Sequence, residues 1–468
     1  MDLLPLLRPQ TVAVVGASDD PSKLGFHVIK SLTFWPYKGR IHPVNPKRAS
    51  VMGIPAHKDL REVESQIDLA IIVVPNKAVE GVIAACLERH VRSIVLITAG
   101  FKESEGKEGA LLQERLKGLV ADRIPVVGPN TFGMVSYHQR LNASFTPEFS
   151  LASPGGAAII SQSGGISHLM GFLAMEQDIG LSYVVGLGNR LTVDFQHMLY
   201  HLAADEFTKV AGLYVEGIEE PKMLLKAIKD VSSKIPVVVM KAGKGELADK
   251  ASLSHTGSLA GNQQNYRFGV LQSGGLVVDD VHSFLDLLKA YETLTPPKGN
   301  RVAILSGQAG PGIVALDSCV ELGLHVKPFG WKTLSEIEEI LPPMAIRSNP
   351  VDLGPLWYDE FALLKVVKKV LKDPEIDAVL FLMMFASANL NSIPVLLEGL
   401  LDERPQKPIF TCIMAPGQIW KKEIREGEEK GIFCNFPTPE RAAKACAGML
   451  LLERRRHRQT KNGRTSWT

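Results

Sequence analysis

The chain has 468 residues, 45% of them hydrophobic and 22% charged, with a formal net charge of +2. That length exceeds one ordinary core, so two to four domains are expected, and the composition is that of a globular rather than a disordered chain. A charge this near zero gives no global field for nucleic acid or an acidic membrane surface, so neither is expected as a partner. The N-terminal stretch MDLLPLLRPQTVAVVG has no charged leader and enters a strand almost at once, unlike a signal peptide. The longest apolar run, DAVLFLMMFASA, stops short of the roughly 18 residues a membrane span needs. The five cysteines are scattered without a C-x-x-C pair, which suits reduced thiols in a cytoplasmic protein and offers no metal site.

In chain order, β-rich runs alternate with amphipathic helical stretches from end to end, which predicts an α/β protein with parallel sheets. TVAVVG, RIHPVN, DLAIIVV, SIVLIT and IPVVG read as the strands of a Rossmann-type nucleotide-binding domain over residues 1–140. A second set, GGAAIIS, SYVVGL, KVAGLYVEG and IPVVVMK, spans 150–295 and closes on a helix around HSFLDLLKAYETL. The stretch TPPKGN cannot continue a helix and reads as a linker. A third set over 300–455 holds RVAILSG, DAVLFLMMF and QKPIFTCIM and ends in a helix from Pro439 to about Leu452. The remaining residues, 456–468, form a basic tail, ordinarily a solvated, frayed terminus.

The second and third sets open alike. AAIISQSGGISHLMGFL and VAILSGQAGPGIVALDS each run strand, small-residue loop, helix, a weak internal repeat that predicts two related flavodoxin-like units. Each loop sets unpaired backbone N–H groups at a helix N-terminus, where an anion is favoured. The residues concerned are Ser163, Gly164 and Gly165 in the first loop and Gln308, Ala309 and Gly310 in the second.

In the first domain, Gly16 ends a strand and Gly25 lies near the start of a helix, the arrangement that lets a phosphate or pyrophosphate approach the backbone. Alone the signal is weak. An NAD site usually has Asp or Glu at the end of the second strand to bind the ribose hydroxyls. Here that strand ends in IHPVNPKRAS, with Lys47 and Arg48. A cation attracts a phosphorylated ribose, so the pocket favours CoA or NADP, unless both are simply loop charges. VVPNKAV, ITAGF and VGPNTFG stand at the ends of later strands, where open α/β sheets bind ligands.

The most informative stretch follows IPVVVMK: some twenty residues rich in Gly, Ser, Ala and Lys around one histidine, His255, in SLSHTGSLAG. A long loop of this kind inside a compact domain is usually functional, unless its histidine is simply an exposed loop residue. Imidazole can accept a phosphoryl group covalently and pass it on, provided a carboxylate orients the ring and a phosphate cradle lies near. Glu216, capping the apolar strand GLYVEG, is the candidate carboxylate.

These residues carry a resemblance. The chain resembles, nearly end to end, the alpha subunits of ADP-forming acetyl-CoA synthetase, in the superfamily that includes succinyl-CoA synthetase. GASDDPSKLGF, VNPK, VVPN, ITAGF and GPNTFG resemble that family's CoA-binding loops. On them the resemblance implies CoA contacts at Gly16, Ala17, Ser18, Lys23, Gly25, Asn45, Lys47, Pro75, Asn76 and Asn130. SQSGG resembles the family's phosphate-binding helix start, LYVEGI its histidine-partner glutamate and SLSHTGSLAG its phosphohistidine loop. AGPGIVALDSCVELGL and SNPVDLGP resemble its third domain, although SGQAGPG departs from the more glycine-rich loop expected there. The resemblance implies an acid–thiol ligase with CoA as substrate, acting on acyl-CoA, an organic acid and inorganic phosphate. The sequence carries no G-x-x-x-x-G-K-[ST] loop and no ATP-grasp region. A hetero-oligomer is therefore implied, with an ATP-grasp beta subunit that holds ATP or ADP and Mg²⁺. A non-catalytic CoA sensor is the rival from another class, but it would leave His255 and Glu216 idle. An NADP-dependent dehydrogenase explains the first domain alone.

Overall fold

A computed structural model describes residues 1–121, 123–243 and 263–464. The chain divides into two compact units, Met1–Val281 with residues 459–468, and His282–Arg458. The expected α/β class is the one observed.

The first unit holds two sheets. The first is built from β1 (Thr11–Val15), β2 (Arg40–Val44), β5 (Leu69–Ile72), β6 (Ser93–Leu96) and β7 (Val126–Val127). A short hairpin of β3 (Ser50–Val51) and β4 (Ile54–Pro55) intervenes after β2. The order across the sheet is β2-β1-β5-β6-β7, all parallel. β1, β5 and β6 are buried at every position, as runs made almost wholly of apolar and β-branched residues require of strands covered on both faces.

The second sheet runs β14-β13-β12-β10-β11-β8-β9. Its parallel strands are β10 (Pro154–Ser161), β11 (Leu181–Gly186), β12 (Val210–Val215), β13 (Val237–Lys241) and β14 (Leu276–Val278). The hairpin β8 (Gly133–Ser136) and β9 (Leu141–Ser144) joins antiparallel to β11, so the chain enters this sheet before residue 140. One apolar core runs from Val12 and Val14 of β1 to Ile160, Val185 and Leu213 of the second sheet, which fixes the two sheets to each other.

The second unit contains β15 (Val302–Ser306), β16 (Val351–Asp352), β17 (Ala378–Met384), β18 (Ile409–Met414) and β19 (Cys434–Asn435), in the parallel order β16-β15-β17-β18-β19. The helix Val281–Thr293 is tied into this unit by ion pairs. Arg441 holds Asp286 through two bonds of 2.8 and 2.6 Å, and Lys289 reaches Glu428 at 2.7 Å. The last helix does not stop near Leu452 but continues to Arg464. Glu453 accepts from the Tyr291 hydroxyl at 3.2 Å and pairs with Arg456 one turn on, and the arginines that follow are good helix formers.

All three sheets place their parallel strands in one order, 2-1-3-4-5 by position in the chain. In each, the connections diverge beside the first strand, and that switch point at the carboxyl ends is where ligands of such sheets bind. Among the described residues no helix is long and apolar enough to cross a membrane.

Candidate active site

At the switch point of the first sheet, between β1 and β5, lies a cavity of about 600 Å³. Gly16, directly after β1, has φ +95°, and a Cβ there would sit 2.7 Å from the Val73 carbonyl oxygen. Gly25 packs the start of the helix Leu24–Phe34 so tightly on this turn that a Cβ would come within 2.0 Å of the Gly16 oxygen. No side chain caps that helix, whose N-cap is Lys23; Phe26 N is taken by the Lys23 carbonyl at 3.0 Å, which leaves the N–H groups before it for a ligand.

Gly16, Ala17, Ser18, Lys23 and Gly25 line the cavity from the first loop, and Asn45, Lys47 and Pro75 from the next two strand ends. Asn45 Nδ2 donates to the Ala17 carbonyl at 2.7 Å while its Oδ1 accepts from Lys47 N at 2.8 Å, holding the two loops together. Arg48 and Asn76 are not part of the lining. Asn76 opens the next helix, and its Nδ2 donates to the Gly100 carbonyl at 3.2 Å. The apolar walls, Leu24, Val73, Val74 and Ile97, were not picked out from the sequence, because nothing distinguishes them there from ordinary core residues.

A second, much smaller cavity lies beside Glu216 and is lined by Lys102, Asn130, Gln162, Gly188, Asn189 and Arg190. Glu216 directly follows β12 and is 7% exposed. Its backbone is held from both sides. Gln162 Oε1 accepts from Glu216 N at 2.6 Å, Gln162 Nε2 donates to the Gly217 carbonyl at 2.9 Å, and Lys241 Nζ donates to the Glu216 carbonyl at 2.7 Å. Burial pushes the Tyr214 phenol well above its ordinary range, and its hydrogen bond with the Glu216 carboxylate adds to the shift. Asn130, expected among the CoA loops, faces this cavity rather than the larger one.

The helix Gly164–Glu176 begins immediately after Gln162 and Ser163. Ser163 is its N-cap, with Oγ accepting from Ile166 N at 3.4 Å. A Cβ on Gly164 would meet nothing within 4 Å, and one on Gly165 only the Ser163 hydroxyl at 4.0 Å. Ile166 N is thus capped, while no side chain crowds Gly164 or Gly165, whose N–H groups an anion can approach. His255 lies outside the described residues.

In the second unit the equivalent loop has a different interior. Ser306 Oγ donates to the Gln308 carbonyl at 2.5 Å, as Ser161 Oγ does to that of Ser163 at 2.9 Å. The N-cap here is Gln308, and its amide is spent on β17, accepting from Met384 N and donating to the Met384 carbonyl, both at 3.2 Å. Ala309 and Gly310 begin the helix Ala309–Glu321, and a Cβ on Gly310 would meet nothing within 4 Å.

Residues 10–136 match the family model of a CoA binding domain, and residues 154–291 that of a succinyl-CoA ligase like flavodoxin domain. The chain is 35% identical over 455 residues to the alpha subunit of acetate–CoA ligase [ADP-forming] II of Pyrococcus furiosus, covering 95% of this chain and 96% of that one. It is 36% identical over 346 residues to acetate–CoA ligase [ADP-forming] of Methanocaldococcus jannaschii, where the match takes in 74% of this chain but 48% of the longer relative. A solved structure from Ca. Korarchaeum cryptofilum, described as a dinucleotide forming acetyl-coenzyme A synthetase 1 in complex with phosphate and ADP, superposes with a TM-score of 0.91. It has 30% identity and covers 98% of this chain and 99% of that one. The chain belongs to the family of alpha subunits of ADP-forming acetate–CoA ligases.

Proposed function

We propose that this chain is the CoA-binding, phosphohistidine-carrying subunit of an ADP-forming acyl-CoA synthetase, interconverting acyl-CoA, ADP and phosphate with an organic acid, CoA and ATP. One observation carries the reading. A glycine-bounded cavity with a cation at its second strand end and a buried glutamate beside an open helix N-terminus occur in the same compact unit. The first feature suits CoA and the second suits phosphoryl transfer.

In this reading residues 1–140 bind CoA, 150–295 carry the phosphoryl chemistry and 300–455 form the third domain. A phosphate oxygen attacks the thioester carbonyl; the C–S bond breaks and the CoA sulfur leaves. His255 then attacks phosphorus in the acyl phosphate, and the carboxylate departs with the P–O electron pair. Ser163, Gly164 and Gly165 steady the phosphate through the helix N-terminus, and Glu216 holds the imidazole. Gln308, Ala309 and Gly310 supply a second anion-binding helix start, its side-chain chemistry altered by Gln308. An ATP-grasp beta subunit accepts the phosphoryl group on ADP. The Pyrococcus furiosus relative is itself a subunit and the Methanocaldococcus jannaschii relative is longer than this chain, and both support such a partner. Mg²⁺ would come with the nucleotide on that partner; among the described residues no three His, Cys, Asp or Glu side chains gather to hold an ion.

Radiolabel transfer tests the reading. Alone with labelled ATP the chain should stay unlabelled; with its partner and Mg²⁺ it should take up one phosphoryl group, stable to base, labile to acid and discharged by ADP. Labelling should also occur without nucleotide, from acyl-CoA plus labelled phosphate. His255→Ala should abolish both routes. Label persisting in that variant would overturn the proposal.

A further inference from the structure

One carboxylate that the chemistry above does not use ties the loop beside the larger cavity to the wall of the smaller one. Glu103 follows the loop after β6, and Thr98 and Ala99 of that loop wall the larger cavity. Its Oε1 accepts from the backbone N–H groups of Gly100 at 2.7 Å and Phe101 at 3.2 Å. Its Oε2 accepts from Asn189 Nδ2 at 2.6 Å, and the same amide donates to Gln113 Oε1 at 2.9 Å. Asn189 is 7% exposed and lines the cavity that contains Glu216.

The loops on either side of this bridge are already close. Asn130 N donates to the Thr98 carbonyl at 2.9 Å and Asn189 N to the Pro129 carbonyl at 2.9 Å. A Cβ on Gly188 would lie 2.3 Å from the Pro129 oxygen, so the two loops meet backbone against backbone here. Glu103 therefore ties the loop that walls the larger cavity, just beyond its lining residues Thr98 and Ala99, to Asn189 in the wall of the smaller one. A carboxylate bridging two N–H groups and an amide is stronger and more directional than neutral contacts. A misplacement of about 1 Å between reacting groups can cost on the order of a hundredfold in rate.

We propose that Glu103 is a positioning residue that sets the register between CoA in the larger cavity and the reacting centre beside Glu216. The proposal rests on the functional reading above. It requires that Glu103 matter for the half-reaction that starts from acyl-CoA and not for the half that starts from ATP, because only the first spans both cavities.

The test compares phosphoenzyme formation by the full chain along the two routes, acyl-CoA with labelled phosphate, and labelled ATP with the partner and Mg²⁺. Glu103→Ala should slow the acyl-CoA route at least about tenfold while the ATP route stays within about threefold of wild type. CoA affinity by calorimetry should also stay within about threefold, since the glycine turn and Lys47 are untouched. Should the alanine variant fail to fold, Glu103→Gln keeps the shape and one acceptor but sets an amide against Asn189; it should lower the ratio of the two rates about threefold or more. An unchanged ratio in the variant that folds, with both routes normal or both equally slow, would overturn the positioning role alone. Wild-type protein labelled by neither route would sink the functional reading and this proposal with it.

Discussion

Gly25 offers the sharpest perturbation of the larger cavity. Adding a single methyl group places a Cβ 2.0 Å from the Gly16 oxygen, 3.0 Å from its carbonyl carbon and 3.2 Å from Ala17 Cα. These are backbone atoms, so no side chain can swing away. The helix Leu24–Phe34 must back off the turn by about 1 Å, an overpacking that costs about 1–3 kcal/mol of stability. The same movement draws the helix N–H groups away from the cavity. Losing one or two charge-assisted bonds, at about 1.5–3 kcal/mol each, predicts CoA binding weakened by roughly ten- to a hundredfold or more. Calorimetry on Gly25→Ala measures the affinity and a thermal melt the stability. Gly118→Ala is the control, because Gly118 lies within the helix Glu108–Val120 and a Cβ there meets nothing within 4 Å. That variant should be neutral or stabilised by about 0.5–1 kcal/mol, with CoA binding unchanged. Full CoA affinity in Gly25→Ala would refute the assignment of this cavity to CoA.

Three further outcomes are expected. Lys47→Ala should weaken CoA about tenfold but leave dephospho-CoA binding as it was, measured by calorimetry; equal losses for both ligands would remove the ribose phosphate as the partner of Lys47. Glu216→Gln should keep CoA binding and lose roughly a hundredfold in turnover; near-normal turnover would make the buried carboxylate structural. Burial holds the His201 imidazole below the ordinary histidine value of 6.5, against the opposing pull of Asp205. Its folded form resists the proton that the unfolded chain accepts, so the stability it contributes is complete above that value and drains away as the pH falls towards the depressed one. His42, depressed by burial and by His57 and Arg40, acts in the same direction. Melting temperature should therefore fall between about pH 7.5 and 5, and His201→Leu should flatten part of the slope; an unaltered slope would contradict this.

The α/β class and the glycine turn were legible because each has a local cause. Runs such as TVAVV and LAII are apolar on both faces, which only a covered parallel strand tolerates. Gly16 and Gly25 announce a close approach of backbone to backbone, and the contacts at 2.7 and 2.0 Å are that approach. Glu216 was visible for a similar reason: a carboxylate at the end of a strand buried at every position is costly unless something uses or holds it.

What escaped the sequence depends on how two sheets meet. Asn130 belongs to a loop that ends the first sheet, yet it faces Glu216, because its own N–H is taken by Thr98 while Asn189 takes the carbonyl of Pro129 beside it. Lys102 and Arg190, 88 positions apart in the chain, border the same small cavity, and nothing in their local sequence relates them. Arg190 is held at φ +58° with its guanidinium against Asp194 at 3.0 Å. Such a backbone conformation costs about 1–3 kcal/mol for a side chain without glycine's freedom, and is kept only where the surroundings over-determine it. Here they do. Asn189 N and Leu191 N, on either side of Arg190, are bound to the Pro129 and Gly128 carbonyls at 2.9 and 2.8 Å. The strain at Arg190 and the bridge at Glu103 therefore have a common origin in the seam between the two sheets, where the glycine-bounded cavity of the first sheet is brought to the cavity beside Glu216.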